Sequence, residues 1–258
     1  MKKVLHSVIR ASLTAAVILL LLSGCVFMRR AVEGDKNVLP RKYALDAGAP
    51  WTIEITDIDL DWTRNVKYCI TLDESLEDSV VITTDENIFN SLKVDIEGNT
   101  VKIKGDRDKR FAPSEFEIII GVPTASLSAD GGFVINASIP VSTPAKSLAL
   151  TINGGAEINL ACDMLESLSL DVNGAAEANL EGSCSALKAS FTGAGSLHAY
   201  PLQTETAEIT VNGAASAEVS VSGSLKAAIN GAGDIKYKGE PQVEQTINGA
   251  GSVVPFAG

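Results

Sequence analysis

With 258 residues the chain has room for one large domain or two modest ones, and 45% hydrophobic residues allow a sizeable core. Aromatic residues make up only 5%, so that core is aliphatic and fits a narrow interior. A formal net charge of −11 argues against nucleic acid or an anionic lipid surface as partner, and no Cys/His spacing resembles a zinc site.

Residues 1–24 carry Lys2, Lys3 and Arg10, then the apolar run Leu13–Leu22, then small residues, the layout of a secretory leader. It ends Leu22-Ser23-Gly24-Cys25, which resembles the lipobox of bacterial lipoproteins. That resemblance implies Cys25 as the first mature residue, thioether-linked to diacylglycerol and held on a membrane by its acyl chains. A plain signal peptide or an N-terminal membrane helix is the alternative. Residues 25–49 show no apolar periodicity and read as a tether.

From residue 50 to 124 the pattern turns to strands. Candidates are Trp51–Ile55, Val66–Leu72, Ser79–Thr83, Leu92–Ile96, Thr100–Lys104 and Phe116–Val122, with a helical turn over Glu86–Leu92. Lys93–Ile96 and Val101–Lys104 flank Glu97-Gly98-Asn99-Thr100 as a hairpin, and Pro123 closes the last strand. This segment lacks the corner signature of the residues after it. It reads as irregular opening coils plus a cap.

Residues 125–258 are repeats. LALTINGGAEI (148–158), LSLDVNGAAEA (168–178), LKASFTGAGSL (187–197), AEITVNGAASA (207–217), LKAAINGAGDI (225–235) and VEQTINGAGSV (243–253) start 18–20 residues apart, and a fainter ASLSADGGFVI (125–135) precedes them. Ahead of each corner, large apolar residues alternate with polar ones: Ile152, Val172, Phe191, Val211, Ile229 and Ile247 end the alternation. Each copy is therefore strand, tight corner, strand, with Asn-Gly supplying positive φ. Two architectures fit. Antiparallel hairpins set Leu150 against Glu157 in two- and four-residue loops, a parity fault that a three-residue loop escapes. A parallel β-solenoid instead stacks every apolar column on the next, and parallel crossovers make it right-handed. The favoured class is thus all-β, a right-handed parallel β-helix of about seven regular coils with an irregular N-terminal β cap.

The corner residues Asn153, Asn173, Asn212, Asn230 and Asn248 are expected to stack as a structural amide ladder. Beyond them, Glu157, Glu177 and Asp234 share an outward column that could hold a ligand or calcium weakly, although a solvated face is the simpler reading. Lys188 and Lys226 share another column with Glu208 and Glu244. His198 has no Ser or Cys partner at a readable spacing. Cys162 and Cys184 lie nine and eleven residues past their corners, which leaves their pairing open, and Cys69 stands alone. Pro255 and Phe256 are the thin cover of the far end, an edge that could support end-to-end self-association.

The repeated (I/V)-N-G-A-G, the segment VVITTDENIFNSLKVDIEGNTVKIKG (80–105) and a strand ending in Val-Pro resemble the bacterial head GIN domain family, also called putative auto-transporter adhesin, over residues 51–254. Asn153-Gly154-Gly155-Ala156 and Thr192 depart from the pattern. The resemblance implies a right-handed parallel β-helix similar to pectin-lyase-like proteins, a role in adhesion and no established catalytic residues. The expected function is then a lipid-anchored, extracytoplasmic binding module of a bacterial envelope. Its ligand is a glycan or surface protein, without cofactor, metal or catalysis. A polysaccharide lyase-like enzyme using the acidic column and an envelope-stress scaffold are the alternatives.

Overall fold

Alternating apolar residues set almost every element of this computed structural model, which describes residues 31–256 apart from 47, 65, 75 and 77. Cys25 and the leader before it lie outside the described residues. Val32–Glu33 (β1) and Val38–Ala44 (β2) come first. Trp51–Thr56 (β3) buries Trp51, Ile53 and Ile55, Asp59–Leu60 (β4) buries Leu60, and Tyr68–Asp73 (β5) buries Tyr68, Ile70 and Leu72. Ser79–Asp85 (β6) leads into the single helical turn Glu86–Phe89 (α1). Lys93–Glu97 (β7) and Thr100–Lys104 (β8) form the expected hairpin, with Val94 opposite Ile103. Arg110–Ala112 (β9) and Phe116–Ile120 (β10) complete the irregular part.

The repeats follow as Thr124–Ile139 (β11) and one 85-residue extended run, Ser147–Gly231 (β12). After them come Asp234–Lys238 (β13), Gln242–Gly249 (β14) and Ser252–Pro255 (β15). The chain is all-β apart from α1, and most strands join in one curled sheet. Among the described residues no helix is long and apolar enough to cross a membrane.

Neighbouring copies pair in parallel, and hairpins are not what the repeats form. Leu127 lies over Leu150 and Asp130 over Asn153, while at the other end Leu225 lies over Val243 and Asn230 over Asn248. Period-two alternation then runs each apolar position into a column: Ile103, Ile55, Ala129 and Ile152 below, Ile229 and Ile247 above. Columns of Leu, Ile, Val and Ala leave little room for rings, which accounts for the aromatic shortage. The fully buried exceptions include Phe111, Phe116, Phe133 and Phe191.

The corners demand glycine twice over. Gly174 has φ +146°, and a Cβ there would lie 2.8 Å from the carbonyl carbon of Gly154 in the copy before, closer than real Cβ contacts come. The positive φ belongs to the glycine of each Asn-Gly pair, since no corner Asn adopts one.

At the base, spatial order departs from chain order. β3, β4 and β5 pair in parallel with β8, β9 and β10 on one side, through Ile53–Val101, Leu60–Phe111 and Ile70–Ile118. On the other side β3 and β5 pair in parallel with β11, through Leu127–Ile53 and Ile135–Ile70. The stretch 51–73 is therefore inserted between two later segments, and the Trp51 N–H donates to the Pro123 carbonyl at 2.8 Å where the chain returns. β6 covers the base, pairing antiparallel with β10 and with β2.

The tether expected over 25–49 is corrected from Val32 onward. β2 is an edge strand on β6, and Val32, Tyr43 and Leu45 pack on the core. Leu39, Pro40, Arg41, Lys42 and Ala44 are exposed, so no alternation betrayed it. Asp85 secures the same segment. It is buried and accepts from the backbone N–H of Lys36 at 2.7 Å and from the Ser114 N–H and hydroxyl at 2.6 and 2.9 Å. It precedes α1 but makes no side-chain cap bond, because its carboxylate is engaged elsewhere.

Candidate functional site: an amide-lined trough

The corner asparagines form a ladder, as the Asn-Gly repeats imply. Asn153 donates to Asp130 at 2.7 Å and Asn173 to Asn153 at 3.1 Å, then Asn230 donates to Asn212 at 2.8 Å and Asn248 to Asn230 at 3.0 Å. Thr192 stands between Asn173 and Asn212, where the hydrogen bonds stop and restart. The faint first copy supplies Asp130, an acceptor that ends the lower series. Amides bonding amides at a sharp bend satisfy one another and hold the corners in register.

A second ladder lies on the strands after the first three corners, at Asp130, Asn153 and Asn173. There the inner row, Ile158, Leu160 and Cys162 in one copy, is buried, and the residues between point outward. Asn159 donates to Asn136 at 3.3 Å and to Glu157 at 3.4 Å, and Asn179 donates to Asn159 at 3.0 Å. Thr71 of β5 continues this column below Asn136, and His198 continues it above Asn179. The adjoining outward column holds Asp73, Ser138, Ala161 and Glu181.

Together these two columns floor an open trough of about 590 Å³, which Pro201 also lines. A second hollow of about 350 Å³ shares Ser138, Ala161, Glu181 and Pro201 with it, so the trough runs on toward Pro140. Its floor offers neutral amide donors and acceptors flanked by carboxylates, repeating at the strand spacing of about 4.8 Å.

The acidic column anticipated from the sequence borders the trough without converging. Glu157 and Glu177 are exposed, and Glu157 accepts from Asn159. Asp234 lies in the same outward column farther up and accepts from the Ser252 hydroxyl at 2.5 Å. Among the described residues no three His, Cys, Asp or Glu side chains gather as a group able to hold a metal. The other charged column pairs as the spacing implied: Glu208 lies 3.8 Å from Lys188 and 4.0 Å from Lys226. His198 Nδ1 lies 3.4 Å from Glu218, and no Ser or Cys side chain bonds that ring among the described residues.

The thiols are held un-ionised. Burial pushes Cys162 up to about 11, with a backbone hydrogen bond at Ser183 opposing it, and pushes Cys184 up to about 12. Both are free, as is Cys69, which burial and the nearby Glu117 also shift upward.

Asn136, Asn159 and Asn179 were legible as the residue six places past each corner, at Asp130, Asn153 and Asn173. Seeing that column required aligning the faint first copy with the others. Thr71 and Asp73 carry no such signal, because β5 belongs to a segment without the corner sequence.

The profile of the family described as "Putative auto-transporter adhesin, head GIN domain" matches residues 65–241. The chain belongs to that family. The head GIN match takes in the whole trough and the corner ladder as far as Asn230. No curated protein matches the chain. Among solved structures the chain is similar to a "putative adhesin" of Bacteroides fragilis NCTC 9343, with 20% identity and TM-score 0.66 over 88% of this chain and 100% of that one. A "putative lipid binding protein" of Parabacteroides distasonis ATCC 8503 has 19% identity and TM-score 0.59 over 88% and 100%. A "putative adhesin" of Parabacteroides merdae ATCC 43184 has 19% identity and TM-score 0.57 over 88% and 99%. Identities this low establish a common fold and no more.

Proposed function

We propose that this head GIN chain is an adhesin-like, non-catalytic binding module of a bacterial envelope, and that the trough over Asn136, Asn159 and Asn179 holds a glycan. The reading includes a right-handed parallel β-helix of about seven regular coils, exported by the leader and anchored extracytoplasmically through a lipid on Cys25. One observation carries the ligand assignment: a row of bonded amides with carboxylates beside it, repeated at a fixed spacing. Amides and carboxylates suit the hydroxyl groups of a repeating sugar chain, and they suit acyl chains poorly. Family membership supports the adhesive role.

Glycan panels probed with the purified protein test the assignment. Asn179→Ala removes a floor amide whose loss leaves a polar ligand group unpaired. It should weaken binding on the order of tenfold. Asn248→Ala, in the corner ladder away from the trough, should leave affinity unchanged. Equal effects from both, or no binding to any glycan, would remove the trough from consideration. Unsaturated products released from acidic polysaccharides would replace the binding reading with the lyase one.

A further inference from the structure

The two strands of the last copy end differently. β15 carries Pro255, which has no N–H to offer a further strand. Phe256 then folds back: its N–H donates to the Tyr237 carbonyl at 2.7 Å, its ring meets Tyr200 at 5.0 Å, and Lys238 Nζ sits 4.7 Å from its centre. Among the described residues nothing closes β14 in this way. It pairs along one side with residues 224–231, and all eight of its residues are exposed. Val243 and Ile247 are each 38% exposed, whereas Leu225 and Ile229 beneath them are 1% and 0%. A strand edge in this state presents a row of N–H and C=O groups to another chain.

We propose that β14 pairs antiparallel with β14 of a second copy of this chain, across a two-fold axis through Gln245. The strand Gln242-Val243-Glu244-Gln245-Thr246-Ile247-Asn248 is self-complementary about that residue. Val243 falls opposite Ile247 of the second copy, and the symmetric pair repeats the contact. Glu244 meets Thr246, Gln242 meets Asn248, and Gln245 meets its own equivalent, two amides that each donate and accept.

Other alignments fail on charge or on polarity. Centring on Glu244 opposes two carboxylates and sets Val243 against Gln245. Centring on Thr246 sets Ile247 against Gln245. Registers centred between residues bring the inner row of one copy against the outer row of the other. The described chain begins at the covered base, where β1 pairs with β9, and β14 lies at the opposite end. The two copies therefore meet tip to tip with their bases apart. This pairing is independent of what the trough binds.

Sedimentation equilibrium of the purified protein over a wide concentration range reads the dimer dissociation constant. Thr246→Lys sets a lysine opposite Glu244 in both symmetric contacts and tightens the dimer; Thr246→Glu sets like charges there and loosens it. Each shift is on the order of tenfold, because the pair occurs twice per dimer. Thr246 is exposed, so Tm measured at dilutions where only monomer is present should hold for both variants. Gln245→Cys reads the register, since this alignment brings position 245 to its own copy within disulfide reach, and mild oxidation should give a covalent dimer. The proposal is overturned if Thr246→Lys stays monomeric at the highest attainable concentration. Dimers indifferent to both charge changes overturn it too, as do dimers that Gln245→Cys leaves uncrosslinked.

Discussion

Alanine at Gly174 probes the stacking of the repeats most directly. At φ +146° the backbone there sits in a region nearly closed to residues with a side chain, a strain of about 1–3 kcal/mol. The added Cβ would also stand 2.8 Å from the Gly154 carbonyl carbon and closer still to its oxygen. A stacked backbone cannot swing aside as the tip of a side chain can, so the two copies must part locally. Parting weakens the 3.1 Å bond from Asn173 to Asn153 and its neighbours, each contributing about 0.5–1.5 kcal/mol net. The combined loss is about 3–5 kcal/mol. With a urea m-value near 3 kcal/mol/M, the unfolding midpoint should fall by about 1–1.7 M. Gly98→Ala is the control: its φ is +56°, nothing lies near a Cβ there, and only the left-handed penalty of about 1–2 kcal/mol applies. Equal midpoint shifts for the two variants would mean that successive corners do not rest glycine on carbonyl, and the stacked reading of the repeats would be wrong.

Three further outcomes follow from named contacts. Asp85→Ala should destabilise by about 3 kcal/mol, because the donors from Lys36 and Ser114 lose their buried acceptor, and hydrogen exchange at residues 32–37 should accelerate; unchanged exchange at Lys36 would contradict the clamp. Burial raises the carboxyl of Glu74 above its usual 4.5, only partly offset by the 2.8 Å bond from Thr143. An acid raised in the folded state is penalised progressively as pH climbs from its unfolded value through its folded one, and fully beyond that. Glu74→Gln keeps an acceptor for Thr143, so it should raise Tm at pH 7.5 and not at pH 4; a gain of equal size at both would refute the linkage. Cys162 and Cys184, held near 11 and 12, should resist a thiol reagent at pH 8 until urea is added, and rapid labelling of the folded protein would show them to be accessible.

Much of the regular part could be read from the chain because each copy states the same local rule. Period-two alternation ending at Ile152, Val172 or Ile229, followed by Asn-Gly, fixes strand, face and corner at once. The parallel pairing was harder to obtain, since a three-residue hairpin loop satisfied the same alternation. Only long-range register, Leu127 over Leu150 and Leu225 over Val243, separates the two. The base was read as strands but not as an arrangement. Nothing local in residues 51–73 says that they belong between 100–120 and 124–139. Likewise β2 hid because an exposed edge strand has no buried row to alternate. The trough divides in the same way: its Asn column follows the repeat, whereas Thr71 and Asp73 arrive from outside it.

The insertion of residues 51–73 between two later segments constrains the order in which the chain can fold. That stretch can gain neither flanking neighbour until residues 100–139 have been synthesised, so the nascent chain must carry Ile53, Ile55, Ile70 and Leu72 unsheltered for a long interval. Once the foundation closes, every subsequent repeat finds a finished surface to add to. A base that closes late and repeats that then add one upon another are thereby written into one polypeptide.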